Sequence, residues 1–328
     1  MNRKVFIASL KNLLAGLFLS CAWQGASLGQ AYPSRPLKLV NPWPSGGPAD
    51  VVARLMGDRL SAALGQPVVV DNIPGAGAMI GTAAVAKAPA DGYTLLFSHV
   101  GPMAISPHLQ TIMAYDPVKD FAAITQLTSS PLVLLVRADL PIRSLGEFLG
   151  YAKANPGKLN MGSIGPGSTP HLSGELMRSM AGVTFVHVPY KGSAPLVTDM
   201  LGGQIDFAFL NIGGVQQQID TGKLRALGMT SLKRSPLVPQ LPAISEAIAG
   251  SEVNSWVGMA APAGTPRPVI ERLNAEFVKI LKLPDVLAKL NQMGYDVDGT
   301  TPEQHAAKVR EDLAKWSVVI KATGLPRQ

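Results

Sequence analysis

Short runs of β-branched and aliphatic residues alternate along this chain with longer stretches whose apolar positions recur every three or four residues, and nothing else in the sequence restricts the fold so much. Leu37 to Asn41, Pro67 to Val70, Tyr93 to Phe97, Leu132 to Val136, Leu159 to Gly162, Thr184 to Val188, Ile205 to Phe209 and Ala226 to Met229 read as strands. Between the first two, Val51, Val52, Leu55, Met56 and Leu60 share one helical face, which Gly65 stops. Such alternation predicts an α/β architecture with mostly parallel sheets. Ser144 with Glu147 forms a capping box before a helix expected to end at Asn155-Pro156-Gly157, and Thr301-Pro302-Glu303-Gln304 forms another before the last helix. Gly182, Gly294 and Gly324 stand where helices should stop.

The 328 residues suffice for about two domains with sizeable cores. Two extended runs follow one another from Phe121 to Val136 without a helix between them, and Ser255 to Ala260 follows the proline-punctuated stretch from Pro236 to Pro242. Read as crossings, these make a two-lobed clamp: a first lobe over residues 32–131, a second over 132–254, and a return to the first over 255–328.

The first 31 residues read as a removable leader. Arg3 and Lys4 precede an apolar stretch from Leu13 to Ala22, and Gly29-Gln30-Ala31 resembles a processing site. The stretch is too short to span a membrane, so the expectation is a soluble, exported protein, periplasmic in a Gram-negative cell. A lipoprotein anchored through Cys21 is the weaker reading, because Phe18-Leu19-Ser20 fits a lipobox poorly.

Several function classes drop out early. Cys21 is the only cysteine, which excludes an internal disulfide and cysteine-based metal sites. Without Arg3, Lys4 and Lys11 the balance is 26 basic against 22 acidic residues, scattered without runs, so nucleic acid is not expected as a partner. The G-x-S-x-G match at Gly25 to Gly29 lies in the leader, and no P-loop or dinucleotide fingerprint is present. His99, His108, His171, His187 and His305 show no metal-ligand spacing, so neither metal nor cofactor is expected.

Two constructions stand out. Asn41-Pro42-Trp43-Pro44-Ser45-Gly46-Gly47-Pro48-Ala49-Asp50 and Ser163-Ile164-Gly165-Pro166-Gly167-Ser168-Thr169-Pro170-His171 are glycine-rich loops, each joining a strand to a helix in a different lobe. The first N–H groups of a helix lack partners, the macrodipole adds positive potential, and glycine admits a ligand close to the backbone. Ser45, Ser168 and Thr169 add hydroxyl donors. At roughly 1.5–3 kcal/mol per hydrogen bond to a charged acceptor, four or five such bonds suffice for a micromolar anion complex without a buried cation.

Each loop alone also reads as an ordinary turn, with Ser168 as an N-cap and Asp50 paired to Arg54 one helical turn on. Two of them in opposite lobes, with Trp43 between prolines as a ligand wall, favour a binding cleft. Ser98-His99, Tyr190-Lys191 and Asn211, each following a strand, are further candidates. The full ligand-binding set is Trp43, Ser45, Gly46, Gly47, Asp50, Ser98, His99, Gly167, Ser168, Thr169, His171, Tyr190 and Asn211.

The chain resembles the Bug family, the solute receptors of tripartite tricarboxylate transporters. The resemblance lies in Pro42 to Asp50, Asp71-Asn72-Ile73-Pro74-Gly75-Ala76-Gly77, Tyr115 to Phe121, Gly167 to Leu172, His187-Val188-Pro189-Tyr190-Lys191-Gly192, Gly202 to Asp206, and Trp256 with Ala261 to Pro266. It implies a two-lobed periplasmic-binding-protein fold of type II, the Venus flytrap, closing on a small carboxylated solute that passes to a two-subunit membrane permease. It also implies that Ser45, Gly46, Gly47, Ser168 and Thr169 hold one carboxylate through amides, hydroxyls and waters. Trp43 stands where Phe or Tyr is commoner, and Met161 replaces a common aromatic, so the ligand of one member does not transfer.

The expectation is therefore a monomeric, non-enzymatic receptor for a di- or tricarboxylate, an aromatic acid or an amino acid. Asp50 bears on that choice, since it would repel a second carboxylate and attract an amine. Two alternatives stand beside transport: a sensor reporting ligand state to a membrane histidine kinase, and a hydrolase using Ser168 with His171.

Overall fold

The computed structural model describes residues 32–323 apart from Pro166, Lys191, Pro236 and Leu237, together with Arg327. The expected leader with Cys21, Lys191 and the Gly324 helix stop lie outside the described residues. The chain separates into a unit ending at Arg35 and a unit running from Pro36 onward, and everything below concerns the second. Among the described residues no helix is long and apolar enough to cross a membrane.

Strands and helices alternate as the periodicity requires: β1 (Leu37–Asn41), α1 (Pro48–Leu64), β2 (Val68–Asn72), α2 (Met79–Ala86), β3 (Thr94–His99), α3 (Ser106–Leu109), β4 (Phe121–Arg137), α4 (Leu145–Ala154), β5 (Asn160–Ser163), α5 (Thr169–Ala181), β6 (Val186–Pro189), α6 (Ser193–Leu201) and β7 (Phe207–Asn211). The chain continues through α7 (Gln216–Asp220), β8 (Leu224–Met229), β9 (Asn254–Pro262), α8 (Arg267–Ile280), α9 (Pro284–Gln292), β10 (Asp296–Val297) and α10 (Pro302–Thr323). Several strands begin or end two residues later than their composition suggests. Ile205 is one cause: its N–H and that of Gln204 return to the carbonyl of Asp199, closing α6, so β7 starts only at Phe207.

The strands form one curled sheet in the order β2-β1-β3-β9-β4-β7-β5-β6, with β8 and β10 added on β4. The outer strands are parallel, β1 to β2 and β3, and β5 to β6 and β7. The expectation of parallel-rich sheets needs one qualification: every pair made by β4 or β9 is antiparallel. These two strands make the crossings, and a chain that crosses and then returns must run both ways. The two extended runs expected around 121–136 are a single 17-residue strand. Phe121 to Pro131 pairs with β9, and from Leu132 onward β4 is flanked by β7 and β8.

Each half of the sheet has its own core. Phe148, Met161, Phe207 and Phe209 pack under α4 and α5, and Val133, Leu135, Leu196 and Met200 pack on the opposite face under α6. In the first half Leu96, Val100, Trp256 and Trp316 form the centre, and Leu172 and Leu176 of α5 reach across to join them. The C-terminal helices pack on the first half of the sheet: Asn274 on α8 donates to the carbonyls of Ile124 and Thr300, both at 2.8 Å.

Caps follow the sequence closely. Thr301 and Gln304 bond reciprocally at 3.2 and 2.9 Å. Ser144 accepts from the Glu147 N–H, whereas the Glu147 carboxylate reaches back one residue further than the motif predicts, to the N–H of Arg143. Gly65 and Gly182 close their helices at φ 67° and 63°.

Candidate functional site

Strand register decides where the two glycine loops emerge. In the first half, Val40 lies beside Leu96, Ser98 opposite Gly258 and His99 opposite Val257, and Val257 in turn faces Thr128 of β4. In the second half Asn211 faces Leu132 of β4, and Ala208 lies beside Gly162. The C-terminal ends of β1, β3, β5 and β7 therefore all run toward one short stretch of β4, residues 128–132, where the chain crosses between lobes. Open α/β sheets bind ligands at such carboxyl ends. Both loops leave their sheets facing that crossing.

The first loop is organised by Asp50, which is 4% exposed. Its Oδ2 accepts from the Gly46 N–H and from Arg54 Nε, both at 2.9 Å, and its Oδ1 accepts from Asn72 Nδ2 at 2.8 Å and Asn41 Nδ2 at 3.5 Å. The Arg54 hydrogen bond, more than any other contact, holds the Asp50 carboxyl well below the usual carboxylate range. Asn72 also donates to the Trp43 carbonyl at 3.0 Å. No side chain caps α1 at Gly47, so the first-turn N–H groups of Ala49 and Asp50 remain open.

Helix α2 braces the same loop from behind. A Cβ on Gly81 would lie 2.6 Å from the Ile73 carbonyl oxygen and 2.9 Å from Pro42 Cβ. Gly81→Ala is therefore expected to push α2 away from the loop and cost about 1–3 kcal/mol, seen as a Tm several degrees lower. A wild-type melting curve would refute that close approach.

Trp43 packs edge-on against His99, ring centroids 5.3 Å apart. The His99 Nδ1 accepts from the Gly101 N–H at 3.1 Å, which leaves Nε2 to donate to Ser255 Oγ at 3.2 Å. Burial pushes His99 down to about 4, so it is neutral near pH 7. Ser255 pairs with Ser130 across β9 and β4, and Asn211 Nδ2 donates to Ser130 Oγ. His99, Ser255, Ser130 and Asn211 thus form a polar track over the crossing. Ser255 and Ser130 escape sequence reasoning because nothing local marks a serine inside a long strand.

The second loop is built differently. Ser168 is the N-cap of α5, its Oγ accepting from the His171 N–H at 3.4 Å and donating to the Gly165 carbonyl at 2.6 Å. Ser163 Oγ accepts from the Gly165 N–H at 3.1 Å and lies 2.7 Å from His187 Nε2, and the Gly167 N–H donates to His171 Nδ1 at 3.1 Å. The two imidazoles stack with centroids 4.0 Å apart. His171 Nε2 stands 3.6 Å from Glu175, which pairs with Arg178 at 3.1 Å.

Among the described residues no hydrogen bond joins one loop directly to the other. Leu109 of α3 packs on the second loop so closely that a Cβ on Gly167 would fall 2.8 Å from its Cδ1. Tyr190 approaches through its backbone, its N–H donating to the Ser163 carbonyl, while its hydroxyl turns away to Asp199 at 2.7 Å. Trp43 Nε1, Ser98 Oγ and, at the start of β9, Asn254 Oδ1 are buried without a hydrogen-bond partner among the described residues.

The hydrolase alternative finds no support in this geometry. The Ser168 proton goes to a carbonyl, and His171 Nδ1 is taken by a backbone N–H rather than by the serine. No group of three or more His, Cys, Asp or Glu side chains suited to a metal occurs among the described residues.

Residues 52–325 match the model of the tripartite tricarboxylate transporter family receptor. The protein BugT of Bordetella pertussis is 35% identical over 321 residues, covering 96% of this chain and 98% of the relative. A solved R. palustris structure with adipate is 36% identical, covers 89% of this chain and 98% of its own, and superposes with a TM-score of 0.74. MatC from Rhodopseudomonas palustris with bound malate is 33% identical, with coverages of 88% and 100% and a TM-score of 0.70. Family model, relatives and fold agree along nearly the whole described chain, and this chain belongs to the tripartite tricarboxylate transporter receptors, the family of the Bug periplasmic binding proteins.

Proposed function

We propose that this protein captures a small organic acid at the crossing between its lobes, dicarboxylates of the size of malate or adipate first, and hands it to a two-subunit membrane permease. The observation that carries the reading is the convergence of two open donor loops on residues 128–132 of β4. The first offers the uncapped start of α1 with the exposed Ser45 beside it; the second offers the Thr169 hydroxyl, while Ser168, its proton held by the Gly165 carbonyl, caps the helix behind it. Trp43, His99 and Asn211 stand along the track where the far end of the solute would lie, whereas Ser98, fully buried and next to His99 in β3, faces the other side of the sheet. Asp50, with its oxygens already holding Gly46, Arg54 and Asn72, acts on the ligand through the loop it shapes. That favours a plain carboxylate over an amine-bearing ligand.

The relatives solved with adipate and malate support the same chemistry. Binding works by closure: a ligand that bridges both loops stabilises the closed clamp by its preference for it. No covalent step is involved, and the receptor acts as an exported monomer in the periplasm.

Titration calorimetry at pH 7.5 with acetate, malate, adipate, citrate and nicotinate tests this. A Kd of roughly micromolar strength with negative ΔCp is expected for at least one di- or tricarboxylate. Thr169→Val should weaken that binding about tenfold without lowering Tm, since its hydroxyl serves no described residue. Absence of heat with all five acids would remove the proposal.

A further inference from the structure

We infer that the stacked imidazoles of His171 and His187 are a positioning platform that fixes the second loop for its ligand, an inference that rests on the carboxylate-receptor reading above. Gly165 and Gly167 sit at φ 122° and 72°, conformations open to glycine and to few other residues. A segment so free needs anchors to hold its donors in one place. It has one on either side of Pro166: Gly165 through Ser163, itself 2.7 Å from His187 Nε2, and Gly167 through its N–H to His171 Nδ1. The two anchors come from different elements, β6 and α5, and the ring stack at 4.0 Å makes them one unit.

The platform works with its rings neutral. An imidazole that accepts from Gly167 at Nδ1 has its proton on Nε2, which faces the Glu175 carboxylate at 3.6 Å. Burial first, then the neighbouring His187 and Arg178, push His171 down to about 4. The charged or titratable groups that face it are Glu175 and Arg178 on its own helix and His187 on β6. The other elements packed on α5 meet it with apolar side chains: Met161 of β5, Phe207 and Phe209 of β7, Leu109 of α3, and Trp316 and Val319 of α10. His171, at 3% exposed with Nδ1 holding Gly167 and Nε2 turned to Glu175, acts through the loop rather than on the solute.

Three variants separate positioning from plain packing. In His171→Asn the side-chain oxygen falls where Nδ1 stood and can still accept from Gly167; in His171→Gln the acceptor is displaced by one bond; in His171→Leu it is gone. Calorimetry with adipate and malate at pH 7.5 should find His171→Asn within about threefold of wild type, and the Gln and Leu variants weaker by about tenfold or more, the size of one lost hydrogen bond. Melting curves taken alongside should show similar Tm changes for all three, so that affinity and stability part company. Wild-type affinity should stay flat from pH 8 to 5.5. His171→Leu binding as tightly as wild type, or His171→Asn binding no better than His171→Leu, would overturn the inference while leaving the receptor reading intact. A wild-type protein that binds none of the five acids would overturn both.

Discussion

Asp50→Ala should lower Tm by about 5 °C or more and weaken carboxylate binding at least tenfold, the largest effect expected from any single change in the first loop. The reasoning is local. One buried carboxylate collects donors from four places: the loop itself at Gly46, the following helix at Arg54, the end of β1 at Asn41 and the end of β2 at Asn72. Removing it strands the amide of Asn41, which is fully buried, and releases Gly46, which sits at φ 82°. The Arg54 side chain is half exposed and recovers water, so the loss should be nearer 2–3 kcal/mol than the 3–5 of a wholly buried broken pair. Asp50→Asn keeps one acceptor and the shape, and should fall between. Titrating that variant with amino and non-amino dicarboxylates separates the two views of Asp50: equal losses are expected if it shapes the loop, and a selective loss for amino ligands would mean that it meets the solute. Melting and binding unchanged in Asp50→Ala would show that the loop needs no such anchor.

That anchor was half legible in the sequence. The four-residue spacing of Asp50 and Arg54 declares an ion pair on one helical face. Asn72, 22 residues on, belongs to the network only because β2 lies beside β1, and a pairing of strands is invisible to local periodicity. The same division runs through the molecule. The bounds of β1 and the caps at Thr301 and Gly182 come from chemistry within a few residues and are where composition puts them. The middle of β4 is not. Gln126, Thr128, Ser129 and Ser130 are polar and carry no apolar strand pattern, yet all are buried and in extended conformation because β9 covers them from a position more than a hundred residues later. The loops announced themselves through glycine, proline and serine. The imidazole stack beneath one of them did not, since His171 and His187 meet only after α5 and β6 have packed.

Acid should begin to destabilise this protein above the pH at which most of its carboxylates titrate. All five histidines are held below their ordinary value, chiefly by burial, and His99, His171 and His305 are pushed down to about 4. A histidine with a depressed folded value favours the fold while neutral. As pH drops below 6.5 the unfolded chain takes up protons at these rings and the folded chain refuses them until about pH 4, so stability is lost across that window and little further from these groups below it. Glu175, Asp296 and Asp298 act in the opposite sense, for burial raises them and the fold binds their protons first as the pH falls. None of the three carries a shift as large as those of the three histidines. At about 1.4 kcal/mol per unit, each ring contributes up to roughly 3 kcal/mol, and even a third of the combined sum is a sizeable part of a typical folding free energy. His305 is the purest case: it lies edge-on to Trp256, its Nδ1 has no partner among the described residues, and a Cβ on Gly258 would come within 2.5 Å of its Nε2, so the packing offers an added proton little room. Thermal unfolding at pH 7.5, 6.0, 5.0 and 4.0 should show the steepest fall in Tm between 6.0 and 4.0, and His305→Gln should flatten that slope while starting from a lower Tm at pH 7.5. A Tm level from 7.5 to 4.0 would mean that these rings exchange protons with solvent freely, contrary to the packing around them.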